Sequence, residues 1–314
     1  MWSGYAGGKR VLLAACSGKV WGLWDDDNGK FTRNYLGTVH TDKSVNFIPF
    51  DGNVYIQDGY EYYVYNGSAL NIVSGYVPLV AIAIGPLVNG EPVDGGTLTG
   101  EYVNRLCPKR RVWISPDGTN DTFRLPEKDL KSIDYVLDLT DDSEVVGTWT
   151  SSTTDGTVTF DSAPAKAVNR YEIGYTAKSH DDDSTITDYR AQVTGNLFAE
   201  LYSGNTDTSL FFYGDGTNRI IYTGMDYNGV PRADYFPDQY EARIGDANTP
   251  VSSLGRHGST LIAYKPGGEA WACTYGQIEL ATGDLTPALY ISPLNRDKGS
   301  DHFTSRSEER FSRN

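Results

Sequence analysis

The groups in this sequence able to support catalysis or ligand binding are its carboxylates, its four histidines and a set of glycine-flanked acidic turns. Their spacing decides little in favour of chemistry. A sialidase-type Asp box requires Ser-x-Asp-x-Gly-x-Thr-Trp; Ser115, Asp117 and Gly118 approach it, but the glycine comes one place early, so the segment reads as an Asp-Gly turn. Asp25, Asp26, Asp27, Asn28 and Gly29 supply hard oxygen ligands of the type calcium takes, without the EF-hand spacing or its closing Glu. That run, like Asp181 to Asp183, is read as a solvated turn. His40, His180, His257 and His302 are scattered and lack HExxH or paired spacing; His257, beside Arg256, is expected to be a hydrogen-bonded structural histidine. No GxSxG elbow is present, and GDGTNR at 214–219 is followed by strand-like RIIYTG, where a phosphate loop requires a helix. The reading is therefore no catalytic residue, no cofactor-binding residue, no metal ligand and no enzyme.

Two further groups are candidates for binding. Lys109, Arg110 and Arg111 form the one dense basic cluster, suited to DNA or an acidic partner but more simply a solvated face. Trp21, Trp24, Trp113, Trp149 and Trp271, with 22 tyrosines, offer aromatic surface for sugars; cross-strand packing is the commoner use. Cys16, Cys107 and Cys273 are widely spaced and form no CxxC pair, so they are expected to be buried free thiols.

The elements that must position these residues are short strands. With 34 Gly, 22 Tyr and only two Met in 314 residues, the composition favours strands joined by tight turns over long helices. RVLLAAC (10–16), KVWGLWD (19–25) and RNYLGTV (33–39) are separated by turn residues, and VNFIPFD, NVYIQDG, EYYVYNG and ALNIVSG continue the pattern from 45 to 75. Four antiparallel strands at about eight-residue spacing match one propeller blade. The texture returns after Tyr189 in NLFAELYSG, SLFFYGD, RIIYTG, STLIAYKPGG and EAWACTYG.

Between these stretches, DGTNDTFRLP (117–126), DGTVTFDSAP (155–164) and YEIGYTA (171–177) have the shorter rhythm of a compact sandwich. The expected organisation is an all-β chain: a β-propeller, incomplete or truncated, over 1–100 and 181–294, an inserted β-sandwich domain over 101–180, and a polar tail over 295–314. VPLVAIAIGPLV (77–88) is too short and too proline-rich to span a membrane and reads as a buried strand with its connector. The N-terminus lacks the basic, apolar and small-residue succession of a secretory leader, so synthesis in a cytoplasm is expected. A net charge of -14 argues against a broad nucleic-acid footprint.

Residues 209–276 carry a family resemblance. GDGTNRIIYTG leads to Tyr235, Phe236 and Pro237, then to GDANTPV (245–251) and to Arg256 and His257. This block resembles the propeller of tailed-bacteriophage packaged-DNA stabilisation and tail-hub proteins, and residues 155–177 are similar to small β-sandwich modules of phage virion proteins. The resemblance implies a non-enzymatic virion component of the neck or tail, made in the bacterial host cytoplasm, that helps close the head and retain packaged DNA. The implied partners are other virion proteins (portal, adaptor or tail components) within a homo-oligomeric ring, with no membrane and no cofactor, and with direct DNA contact not indicated by the acidic charge. The competing expectation is a carbohydrate-binding or glycan-processing propeller.

Overall fold

A computed structural model describes residues 1–25, 31–40, 42–93, 97–204, 206–279 and 285–295. These residues are almost entirely β. The first meander is β1 (Trp2–Ala6), β2 (Lys9–Cys16), β3 (Lys19–Asp25) and β4 (Phe31–Thr38), each strand pairing antiparallel with the next. The second is β5 (Asn46–Phe50), β6 (Asn53–Gln57), β7 (Tyr62–Tyr65) and β8 (Leu70–Ile72). Tight turns close these hairpins, as at Ser17 and Gly18, whose φ values of 50° and 72° suit a short left-handed connection.

The chain then enters a different arrangement. Its strands are β9 (Leu79–Ile84), β10 (Leu87–Val88), β11 (Glu91–Pro92), β12 (Leu98–Thr99), β13 (Lys109–Ile114), β14 (Thr122–Arg124), β15 (Ser132–Asp138), β16 (Ser143–Glu144), β17 (Trp149–Ser152), β18 (Thr157–Phe160) and β19 (Tyr171–Thr176). A six-stranded sheet runs β12-β9-β13-β19-β15-β16, a three-stranded sheet runs β14-β18-β17, and β10 and β11 form a hairpin. All pairs are antiparallel except β9 with β13. The apolar 77–88 run thus supplies β9, whose buried Leu79, Ala81 and Ile84 join the sheet of the middle region. The two larger sheets share one core, with Val112, Ile114, Val136, Ile173 and Tyr175 from the first meeting Phe123, Val158 and Phe160 from the second. At the centre of the larger sheet β19 is buried on both faces; Gly174 is required there because the Tyr135 ring lies 2.1 Å from where a Cβ would stand.

The one α-helix among the described residues, α1 (Tyr189–Thr194), follows, its first turn capped by Asp188 Oδ1 accepting from the Ala191 N–H at 2.9 Å. The last two meanders are β20 (Phe198–Ser203), β21 (Thr206–Tyr213), β22 (Arg219–Tyr222) and β23 (Glu241–Arg243), then β24 (Ser253–His257), β25 (Thr260–Lys265), β26 (Glu269–Glu279) and β27 (Leu285–Asn295).

Alternation along the strands gives each meander an apolar face, and these faces pack in series. Ala6, Val11, Leu13 and Val20 of the first meander meet Val54, Ile56 and Tyr65 of the second. Ile48, Phe50 and Tyr62 on the opposite face of the second meet Leu210, Phe212 and Ile221 of the third. Phe211, Tyr213 and Ile220 of the third then meet Leu254, Leu261, Ala263 and Cys273 of the fourth. Among the described residues no sheet closes on itself, and no buried apolar cluster joins the first meander to the fourth.

One cysteine departs from expectation. Cys107 and Cys273 are buried free thiols, and burial pushes the Cys273 thiol up to about 12. Cys16 is exposed, because it ends β2 beside the Ser17 turn, where the sheet leaves its packed region.

Candidate functional surfaces

The sequence block that carries the family resemblance builds one continuous locked surface. In the 214–219 turn, Asp215 Oδ1 accepts from the N–H and hydroxyl of Thr217 at 2.9 and 2.7 Å. Asn218 then reaches across to the Gly245 carbonyl at 3.1 Å, while Ile244 N–H donates to Asn218 O and Val251 N–H to Thr217 O. Gly245, with φ 54°, sits under the Trp271 ring, which lies 2.7 Å from where a Cβ would stand. Lys265 is fully buried and donates to the carbonyls of Ile244 at 2.9 Å and Asp246 at 2.5 Å. GDGTNR and GDANTPV, remote in sequence, are therefore two halves of one junction between the third and fourth meanders. The two turns are each legible in the sequence; the buried lysine of β25 that holds the second of them has no sequence signal beyond its place in an apolar strand.

A second junction lies where the chain leaves and re-enters the meander stack. Asn104 spends both ends of its amide: Nδ2 donates to the carbonyls of Tyr76 and Asp234, each at 2.8 Å, and Oδ1 accepts from the N–H of Leu106 at 3.1 Å and of Phe236 at 2.9 Å. This clamp seats the Tyr235-Phe236-Pro237 segment, with Phe236 fully buried against Phe212 (centroids 4.7 Å) and Tyr62 (6.2 Å). Arg190 of α1 ties the same place to the second meander, donating to Glu61 Oε1 at 2.6 Å, Val73 O at 3.0 Å and Leu106 O at 3.0 Å. Neither Asn104 nor Arg190 stands out in the sequence, because each partner lies in a different segment.

Asp117, Asp182, Asp183, His40 and His180 take structural roles. Asp117 accepts from the N–H groups of Asn120 and Thr119, which hold its carboxyl below the usual range, so the Asp-box near miss is a turn. In the 181–183 run, Asp182 pairs with Lys131 at 2.9 Å and accepts from Ser179; the lysine bond first, then the Ser179 N–H, bring its carboxyl down to about 2. Asp183 accepts from Thr185. Asp26, Asp27, Asn28, Gly29 and His302 lie outside the described residues, and Asp25 ends β3.

His40 Nδ1 lies 2.9 Å from Asp58 Oδ2, His180 Nδ1 lies 2.8 Å from the Ile186 carbonyl, and His257 ends β24 at an exposed turn. Beside it, Arg256 Nε donates to the Gly258 carbonyl at 3.0 Å. Among the described residues no group of three or more His, Cys, Asp or Glu is placed to hold a metal ion.

The basic cluster is largely paired. Arg110 meets Glu127 at 2.9 Å, and Arg111 binds Glu172 at 3.2 Å, the Tyr76 hydroxyl at 3.0 Å and the Val77 carbonyl at 3.2 Å. Lys109 remains exposed at the start of β13. Indole N–H groups are also engaged, Trp113 with Glu172, Trp149 with the Val145 carbonyl and Trp271 with Glu269. Trp21 packs edge-on to Tyr35 (5.5 Å) on the outer face of the first meander, with Arg33 over its ring at 4.5 Å, and Trp24 packs into the first interface.

No protein-family model matches this chain, and no curated protein is detectably similar to it. Among the described residues no helix is long and apolar enough to cross a membrane.

Proposed function

We propose that this chain is a non-enzymatic structural protein of a tailed-phage virion: a β-propeller segment carrying an inserted β-sandwich, acting at the neck or tail hub to help close the head and retain packaged DNA. The observation that carries the reading is the serial packing of four four-stranded antiparallel meanders, each with one face on the next, in the order first, second, third, fourth. That is how propeller blades pack around an axis. The two-sheet region between the second and third meanders takes the place of the insert, and its shared core supports the sandwich assignment.

The resemblance of residues 209–276 to phage stabilisation and tail-hub propellers is supported by the junction that Asn218 and Thr217 of GDGTNR make with residues 244–251, a segment that Lys265 holds from β25. Such a stack is rigid, and it turns loops outward for contact with other subunits. Asp117, Asp183 and His180 are engaged in turns and backbone bonds, which suits a scaffold better than a hydrolase. Chemical crosslinking and mass spectrometry of purified particles of the phage encoding the chain test the proposal. The expected result is the chain present in the particle, crosslinked to portal, adaptor or tail proteins; its absence from particles overturns the proposal.

A further inference from the structure

Every meander has two faces, and the stack uses them unequally. The second is covered on both sides, by the first through Val54, Ile56 and Tyr65 and by the third through Ile48, Phe50 and Tyr62, and the third likewise lies between the second and the fourth. Among the described residues, the first and the fourth each meet a neighbouring meander on one face. Alternation along the strands identifies the face left over at each end. Val11, Leu13 and Val20 point into the stack, so Leu12, Trp21 and Leu23 point out of it, with Leu12 opposite Leu23 and Trp21 opposite Tyr35. At the far end Leu261, Ala263 and Cys273 point inward, so Ile262, Tyr264 and Ala272 point outward.

An antiparallel sheet with one face in water alternates apolar and polar residues, whereas apolar residues on both faces mark a sheet covered on both sides. The central strands at the two ends are of the second kind, with VLLAA and VWGLW in the first meander and TLIAY and AWAC in the fourth. The first outer face is bulky: Leu12, Trp21 and Leu23 are half-buried, and Tyr5 and Tyr35 are 68% and 53% exposed. Its arginines stand at the margin, Arg10 near the start of β2 and Arg33 on the edge strand β4. The fourth outer face is shallow. One row crosses all four strands as Gly255, Ile262, Ala272 and Ser292, with Tyr264 in the row on one side and Tyr290 in the row on the other, and none of these residues is charged. An apolar centre with a polar rim at one end, and small uncharged residues at the other, are complementary halves of a protein interface.

We propose that the outer face of the fourth meander docks on the outer face of the first meander of a second copy of this chain, head to tail. The contact continues between copies the face-on-face packing that joins each meander to the next within one copy. Its two halves are different surfaces, so the association is heterologous and closes into a ring or extends as a filament according to the rotation from copy to copy. It belongs to the chain in solution, so its failure is distinct from absence of the chain from phage particles.

Sedimentation velocity and native mass spectrometry of the full chain over a dilution series test the proposal. The parent is expected to associate. Leu23→Glu and Ile262→Glu each set a carboxylate at the centre of one face and should weaken association roughly tenfold or more, the scale of an interface hot spot. Tyr35→Glu and Tyr290→Glu do so at exposed positions, where folding is least at risk, and thermal melts matching the parent's identify the variants that fold. The decisive sample mixes these last two. A copy carrying Tyr35→Glu keeps its fourth face and a copy carrying Tyr290→Glu keeps its first, so the mixture should form one-to-one pairs and grow no further, although neither variant associates alone. A parent that stays monomeric throughout, folded variants that associate as the parent does, or a mixture that stays monomeric would overturn the proposal.

Discussion

The meander stack and the two-sheet middle region each bury a charged side chain, and they satisfy it in opposite ways. In the stack, Lys265 is fully buried with backbone carbonyls, not a carboxylate, as its partners in the structure: those of Ile244 and Asp246. In the middle region, Glu172 is 7% exposed and collects side chains: Arg111 and the Trp113 indole on Oε2, and the Tyr135 hydroxyl on Oε1 at 2.8 Å. The first arrangement fixes a loop, because its acceptors, Ile244 and Asp246, lie at the start of the segment that connects β23 to β24. The second fixes strand neighbours, because its donors come from β13 and β15 on either side of β19. Buried charge therefore fixes a connecting loop in one region and sheet-internal register in the other.

The largest effect that separates the regions is expected at Phe236. Truncation by Phe236→Ala empties the contact between the second and third meanders and should cost about 3–5 kcal/mol, read by denaturant unfolding, with the middle region's own core untouched. A loss confined to the middle region would contradict the packing described. Lys265→Met comes next. It leaves the Ile244 and Asp246 carbonyls without their donor, and about 2–4 kcal/mol of lost stability is expected, with faster amide exchange concentrated in residues 245–251. Unchanged exchange there would show that the lysine is not what holds the loop.

Glu172→Gln is smaller, roughly 1–3 kcal/mol, because Arg111 is partly exposed and water screens its lost partner. Its signature should be in the exchange of β13 and β15 and absent from 245–251. The smallest effect is a pH dependence. Burial of Asp58 works against its charge, but the N–H groups of His40 and Glu61 and the His40 ring hold its carboxyl below the usual range. A depressed carboxyl stabilises the fold above its unfolded pKa, and that contribution is lost as pH falls through the folded value. Asp58→Asn should therefore flatten the acid limb of stability measured against pH, and an acid limb identical to the parent's would remove Asp58 from the account.

Much of the strand pattern was legible before the fold was seen. The alternation in NVYIQ and EYYVY and the glycine turns between them place β6 and β7 correctly, because hairpin pairing depends on neighbours a few residues apart. The 77–88 run was legible as a buried strand, but not its destination: its pairing with β13 depends on residues about thirty positions on. Helix α1 was missed since six residues carry too little periodicity, and its cap, Asp188, is one of many aspartates. Cys16 misled because its type suggests burial while its place at a strand end does not.

The junctions were the least legible. Asn104 gathers Tyr76, Asp234 and Phe236, and Arg190 gathers Glu61, Val73 and Leu106, so both sets of contacts exist only after folding.

We propose that the four serially packed meanders are propeller blades of a virion scaffold. A cryo-EM reconstruction of the neck and tail hub of purified particles of the phage encoding the chain addresses it most directly. The account predicts a ring in which each copy shows four sheets in the observed order, with the two-sheet region projecting between the second and third. Particles without this chain, or density in which those sheets are not arranged about a propeller axis, would contradict it.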